Sequence, residues 1–317
     1  MHLLNGALSP ECVALTWAGA ATGVTLAVRH IHRSEVDRSQ LIQAVQLTGV
    51  VFAAQMINIP LLPHASTHLV GGALLAWRLG PCLAAVCMTS VLIVQAALLG
   101  DGGFAAFGAN VINMALIPAM VVAQLQRIQQ TAWTPFLSGW LAVILAALAL
   151  PLQIADGNTA LPVVPFGMEM LSSYAVLGLF EGFVTAVALA VLSSVYFSQS
   201  RPRTIGLSMS VAVALLVVLP FSSSIPDGYE AAAEVSGLSH LLTTSSEEIT
   251  SAGDINVWLH GIQVQVSGII SKLSGTSSAL PLISFLACSV LTAFVLSILT
   301  RRPPDLARRL HHSGYAH

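Results

Sequence analysis

The sequence carries little charge. Asp, Glu, Lys and Arg make up 8% of the 317 residues, whereas soluble domains contain about 25%. Lys272 is the only lysine and no glycine-rich phosphate-binding loop precedes it, so the chain has no Walker A site for ATP hydrolysis. The HExxH motif of zinc peptidases and the GxSxG motif of serine hydrolases are also missing. Because the basic residues are scattered among several loops, the sequence predicts no nucleic-acid partner.

Cysteine is scarce as well. The four cysteines stand in apolar runs without CxxC spacing, which is typical of buried packing residues; they are Cys12, Cys82, Cys87 and Cys288. Hydrophobic residues, in contrast, form 55% of the chain. Apolar stretches of about 20 residues recur along its length, as in proteins that cross a bilayer several times. The first stretch lacks the basic start and cleavage site of a signal peptide, so we expect it to be a helix of the mature protein.

These stretches predict an all-α fold: a polytopic membrane helix bundle of about seven or eight transmembrane helices, an extracytoplasmic loop and a final transmembrane helix. The predicted spans cover residues 11–29, 41–62, 68–80, 82–99, 104–125, 133–153, 166–198, 205–222 and 279–300. The third span is short because Gly80-Pro81 interrupts the helix and starts the next one. In the seventh span, Gly178 and Gly182 are four residues apart, a spacing that indicates close helix packing.

The arginines predict the orientation of the bundle. Every basic residue except Lys272 follows or ends an odd-numbered span; these residues are Arg29, Arg33, Arg38, Arg78, Arg127, Arg201, Arg203, Arg301, Arg302, Arg308 and Arg309. Since loops rich in Lys and Arg stay in the cytoplasm, this side of the bundle is predicted to be cytoplasmic. Nine spans then place the N-terminus outside and the C-terminus inside.

One predicted loop, residues 223–278, differs from the others in charge. It holds six acidic residues and one base, and it is rich in Ser, Thr and Gly. The topology makes it extracytoplasmic, so we interpret it as an appended module that joins the eighth and ninth spans. An acidic outer face would concentrate divalent cations, and a solvated connector is the alternative interpretation.

The first two residues can form a metal chelate. The amine of Met1, the backbone nitrogen of His2 and its ring nitrogen can close five- and six-membered rings on one ion, and three nitrogens in a plane suit Ni(II), Cu(II) or, less strongly, Co(II). His68 is predicted on the same outer face and would add a fourth nitrogen, with His64 as a supporting or substitute ligand. The alternative is an interfacial role for each histidine, hydrogen-bonded to the backbone.

Polar residues within the predicted spans are further candidates. Glu181 lies deep in the seventh span, where a carboxylate is costly and therefore often functional, although a structural pairing inside the bundle is the alternative; Glu169 is nearer the start of that span. Asn110 and Asn113 begin the fifth span near the outer face. They can orient the N-terminal loop or form hydrogen bonds between helices.

At these residues the chain resembles the CbiM/NikM family, the substrate-binding membrane components of energy-coupling-factor cobalt and nickel importers. Four motifs carry the resemblance, in chain order: Met1 to Leu8, Ser66 to Gly72 followed by Leu79-Gly80-Pro81, Gly108 to Met114, and Gly178 to Thr185. They cover about residues 1–222. Residues 223–300 resemble the PDGLE-type module often fused to such proteins, through Pro226-Asp227-Gly228-Tyr229-Glu230 and a final helix, and residues 301–317 would be a cytoplasmic tail.

The resemblance implies a function and a ligand set. Ni(II) or Co(II) would be the transported substrate, bound by Met1, His2 and His68. Transport would need a transmembrane coupling subunit and paired ATP-binding-cassette ATPases, and the chain would lie in the plasma (inner) membrane of a bacterium or archaeon without being an enzyme itself. Three departures stand out: Asn5 replaces the usual acid, Tyr174 stands near a position where a histidine is common, and the extra His64 has no counterpart with a role in the family. A membrane-embedded metal-dependent enzyme and an ion-coupled secondary transporter with Glu181 as its proton site are the alternatives.

Overall fold

The fold is helical, as the sequence predicts. The computed structural model describes residues 2–34, 36–128, 131–155, 162–198, 210–212, 214–215, 217–242, 254–274 and 280–300. Its principal helices are α1 (Pro10–Arg33), α2 (Arg38–Gln55), α3 (Gly72–Leu79), α4 (Pro81–Leu99), α5 (Phe107–Ile128), α6 (Thr134–Ala155), α7 (Val163–Ser198), α8 (Gly228–Val235), α9 (Asp254–Ser274) and α10 (Leu280–Leu299). Short 3-10 turns occupy Leu219–Phe221 and Ser239–Leu242. Two strands, β1 (Ile59–Pro60) and β2 (Ser66–Thr67), pair antiparallel between α2 and α3.

Six of the described helices are long and apolar enough to cross a membrane: α1, α4, α5, α6, α7 and α10. This confirms an all-α polytopic membrane bundle. The predicted third span, residues 68–80, is wrong, because its helix α3 has only eight residues, about 12 Å of a bilayer core about 30 Å thick. The predicted span 205–222 lies partly outside the described residues, and the tail 301–317 lies wholly outside them.

The short helix α3 explains how a loop enters the bundle. Helices α3 and α4 pack against each other and meet at Gly80, whose φ of 84° interrupts the helix. The 19 residues of α4 span about 28 Å, more than twice the length of α3. The segment 56–71 occupies the space that the shorter helix α3 leaves beside α4, and it contains β1, β2 and His68. The His68 side chain is therefore only 10% exposed.

Glycines bring α6 and α7 into backbone contact. A Cβ atom at Gly182 would lie 2.6 Å from the carbonyl oxygen of Phe136, and one at Gly178 would lie 3.0 Å from the ring of Trp140. The close packing predicted from their spacing is therefore confirmed. As the residue numbers rise along α7 they fall along α6, so the two helices are antiparallel.

Residues 222–238 are not a solvated connector. Helix α8 packs against α7, and Tyr229 is 2% exposed, with its ring 6.2 Å from that of Phe166 in an edge-on arrangement. A Cβ atom at Gly228 would lie 2.6 Å from Leu177, so any residue other than glycine would force the neighbouring side chains to move. The other buried residues of α8 are small, namely Ala231, Ala232 and Ala233, which lets the helix lie close to the bundle.

Gly108 holds α5 against α1. A Cβ atom there would overlap the backbone of Thr16 and Trp17, so we expect Gly108→Ala to lower the free energy of unfolding by about 1–3 kcal/mol through overpacking. Thermal unfolding in detergent measures the effect. Gly261→Ala is the matched control, because nothing lies within 4 Å of a Cβ atom there and a helix gains up to about 1 kcal/mol from Gly to Ala. Equal stability of the two variants would contradict the proposed backbone contact.

Candidate metal site

Two histidines from distant parts of the chain meet in the structure. The rings of His2 and His68 stack with their centroids 5.9 Å apart and their planes at 16°. Both side chains are buried, 6% and 10% exposed. Met1, the other residue predicted to bind metal, lies outside the described residues. The structure thus brings together the two histidines that the sequence selected.

Asn110 of α5 positions the N-terminal loop. Its Oδ1 accepts a hydrogen bond from the Leu3 backbone N–H at 2.9 Å, and its Nδ2 donates to the Leu3 carbonyl at 3.1 Å. Gly103 N–H donates to the same carbonyl at 2.8 Å. These bonds fix the backbone next to His2 and so the direction of its side chain. Asn113 has a different partner. Its side-chain amide donates one hydrogen bond to the Gln153 side chain of α6 and accepts one from it, each 2.9 Å long, so it links two helices.

A pair of buried glutamines orients the His2 ring. Gln55 Nε2 donates to the Val70 carbonyl at 2.5 Å, and Gln95 Nε2 donates to Gln55 Oε1 at 2.8 Å. Gln95 Oε1 is left to face His2 Nε2 at 3.2 Å as a hydrogen-bond acceptor. In the tautomer with the hydrogen on Nε2, His2 Nδ1 has the lone pair that a metal ligand needs.

The His68 loop is held by Glu181. The two carboxylate oxygens of Glu181 each accept one backbone N–H, from Val70 and from Gly71, both at 2.8 Å. Gly71 takes a left-handed φ of 74°, which lets consecutive amides turn toward the same carboxylate. His68 Nδ1 lies 3.2 Å from the Leu69 carbonyl, an acceptor, and the tautomer with the hydrogen on Nδ1 leaves Nε2 to bind a metal. The two bonds of Glu181 fit the structural role named as the alternative.

His64 does not reach the histidine pair. Its side chain is 55% exposed, and its Nε2 lies 3.8 Å from Glu169 Oε1 at the start of α7. Four residues of sequence separate it from His68, but β2 lies between them and reverses the direction of the chain relative to β1. The hypothesis that His64 substitutes for a metal ligand finds no support in this geometry.

Two acids complete the surroundings of the histidines. Asp101 Oδ1 lies 3.1 Å from His2 Nδ1, and Asp227 Oδ2 lies 3.9 Å from His68 Nε2. Together with Gln55 these four side chains line a cavity of about 330 Å³. Sequence reasoning missed Gln55, Gln95 and Asp101 as site residues, and it named Asp227 only as an acid of its loop and as part of the PDGLE-type motif. Glutamines within apolar helices were the available signal, since such side chains need buried partners.

Burial sets the protonation of the site. Desolvation lowers the pKa of His2, although Asp101 acts in the opposite direction. Desolvation, reinforced by His2, also lowers the pKa of His68 to about 4. Both imidazoles are thus neutral at pH 7, the form that binds metal. Burial alone would raise the pKa of Asp227, but nearby positive charge outweighs burial and holds this pKa below its usual range, so the carboxylate is ionised.

The side chains alone do not make a full coordination shell. Within the described ranges, no group of three or more His, Cys, Asp or Glu side chains has an arrangement that would hold a metal ion. A metal bound by His2 and His68 would therefore need further ligands.

Comparisons with known proteins find relatives named for metal transport. The CbiM family, described as the cobalt uptake substrate-specific transmembrane region, matches residues 2–198. A candidate metal transport protein of Haloquadratum walsbyi is 36% identical over 64% of this chain and 92% of its own length. A candidate fused nickel transport protein of Archaeoglobus fulgidus is 33% identical over 63% and 68%. A crystal structure described as a truncated transition metal transporter is 28% identical, with a TM-score of 0.52, over 61% of this chain and 99% of its own.

Proposed function

Since the chain belongs to the CbiM family, we propose that it is the substrate-binding membrane component of an ATP-driven importer of Ni(II) or Co(II). The observation that carries this proposal is the stacked pair of neutral, buried imidazoles, His2 and His68, on two loops that the family match includes. Relatives named for metal and nickel transport support the substrate class.

In this proposal the ion is bound by nitrogen. The ligands are His2 Nδ1, the backbone nitrogen of His2, the amine of Met1 and His68 Nε2. The geometry supports this set, because only Nδ1 of His2 can close a six-membered ring with the backbone nitrogen, and Gln95 offers a hydrogen-bond acceptor to Nε2. Four nitrogens around one ion suit Ni(II), and Co(II) less strongly.

Import would require partners that hydrolyse ATP. The chain has no Walker A motif, so a transmembrane coupling subunit and paired ATP-binding-cassette ATPases would supply the energy. The protein would span the plasma (inner) membrane with its N-terminus outside and its C-terminal tail in the cytoplasm, as the positions of its arginines favour. Residues 223–300 would form the PDGLE-like module of the same chain.

The two alternative functions receive less support. A metal-dependent enzyme would need an open coordination position for its substrate. The four nitrogen ligands proposed here would already fill the coordination plane of the ion. A secondary transporter with Glu181 as its proton site would need a carboxylate that exchanges protons, whereas both oxygens of Glu181 accept backbone N–H groups.

One added residue before Met1 tests the nitrogen chelate. We expect the extension to weaken Ni(II) binding by about 10–100-fold, because it removes the amine from the chelate while His2 and His68 remain. Isothermal titration of the purified protein with NiCl2, and separately with CoCl2, measures the change. The control carries the same extra residue at the C-terminus. Equal affinity in the N-terminally extended protein would contradict the role of the amine.

A further inference from the structure

One ring nitrogen of each site histidine faces a carboxylate. His2 Nδ1 faces Asp101 at 3.1 Å, and His68 Nε2 faces Asp227 at 3.9 Å. The other nitrogen of each ring faces a hydrogen-bond acceptor, Gln95 Oε1 for His2 and the Leu69 carbonyl for His68. A cation held between a ring nitrogen and a carboxylate is attracted both by the lone pair of the nitrogen and by the charge of the carboxylate. The same feature therefore occurs twice in one cavity.

Backbone hydrogen bonds fix the position of the Asp227 carboxylate. Its Oδ1 accepts the N–H groups of Tyr229 at 2.8 Å and Glu230 at 2.9 Å, as the N-cap of α8. The Asp227 N–H in turn donates to Glu230 Oε2 at 2.8 Å, which completes a capping box. With Oδ1 committed to the helix, Oδ2 is the oxygen on the side of His68.

The segment before Asp227 is joined to the His68 loop itself. Ser66 N–H donates to the Pro226 carbonyl at 2.7 Å, and Ser66 Oγ donates to the Ile225 carbonyl at 2.6 Å. Ser66 and Asp227 form a parallel β-bridge. Because Ser66 is two residues before His68, the carboxylate and the imidazole belong to one hydrogen-bonded unit although they are far apart in sequence.

Charge balance gives this carboxylate a role. Imidazole and amine nitrogens bind a metal in their uncharged forms, so a dication held by them in a buried cavity would be costly unless opposite charge is close. Resting on the proposed function, we propose that Asp227, acting with Asp101 across the cavity, is the counter-charge for the bound Ni(II) or Co(II). The C-terminal segment 222–238 thereby contributes a residue to the metal site formed by the N-terminal part of the chain.

Asp227→Asn separates charge from structure. Asparagine caps helices as well as aspartate does, so the variant keeps α8 and loses only the negative charge. We expect its Ni(II) and Co(II) dissociation constants to rise by about 10–100-fold, the range found when groups around metal ligands are replaced. Isothermal titration of the full chain measures them. Glu234→Gln is the control, because it removes one charge from an exposed position of the same helix and should change neither constant more than about twofold.

The outcomes distinguish the two proposals. If the wild-type protein binds neither ion, the proposed function fails. If it binds and Asp227→Asn binds equally well, the counter-charge role is overturned. A third variant, Asp227→Ala, removes both the helix cap and the charge. If Asp227→Ala binds weakly while Asp227→Asn binds like the wild type, Asp227 acts only by holding α8 in place, and the proposal is overturned. Thermal unfolding without metal should show Asp227→Asn as stable as Glu234→Gln.

Discussion

Replacing His68 with alanine should reduce Ni(II) and Co(II) binding by more than about 100-fold, beyond the range seen for residues that only support metal ligands. The variant loses one of the two side-chain nitrogens that the structure brings together. It should fold, because the His68 ring makes one hydrogen bond, to the neighbouring Leu69 carbonyl. Isothermal titration of the purified protein with each ion measures the loss.

His64→Ala is the matched control for this prediction. The two histidines are four residues apart in one loop, but His64 is largely exposed and lies beside Glu169. Its replacement should leave both dissociation constants unchanged within about twofold, since exposed ion pairs contribute little. If His64→Ala lost binding and His68→Ala kept it, the proposed metal site would be wrong.

Much of the bundle could be predicted from the sequence, because local composition is enough to identify a membrane-spanning segment. Five of the six helices that can cross a bilayer overlap closely with predicted spans, and the sixth, α7, begins three residues earlier than predicted. The third span was wrong for a local reason. Residues 68–71 were predicted to begin its helix, but Ser66 and Thr67 pair with β1 just before them and Gly71 turns the backbone, so the helix begins only at Gly72.

The histidine pair could be predicted as well, whereas its surroundings could not. His2 and His68 belong to short motifs with a known chemical meaning, and the orientation rule placed both on one side. Gln55, Gln95 and Asp227 act through contacts between residues that are 40 or more positions apart. Such contacts depend on how the helices pack, and no local pattern in the sequence encodes them.

Glu181 gives the second large expected effect. In Glu181→Ala, the buried N–H groups of Val70 and Gly71 lose their acceptors, and each lost bond to a charged group costs about 1.5–3 kcal/mol. We expect a marked fall in the unfolding temperature, and weaker Ni(II) binding because the loop that carries His68 loses its anchor. Glu169→Gln is the control on the same helix, at a half-exposed position, and it should change neither quantity.

Metal titration during unfolding then separates a structural Glu181 from a proton site. A ligand stabilises a folded protein by about 2.7 kcal/mol at 100 times its dissociation constant, so a given Ni(II) concentration should stabilise Glu181→Ala less than the wild type. Glu181→Gln keeps one acceptor oxygen but sets an NH2 group against the second backbone N–H, and it should fall between the two. A proton site predicts a different pattern: Glu181→Gln would bind and be stabilised by Ni(II) like the wild type and would lose only transport. That pattern would overturn the anchoring role, because an amide at this position cannot satisfy both backbone groups that the carboxylate now holds.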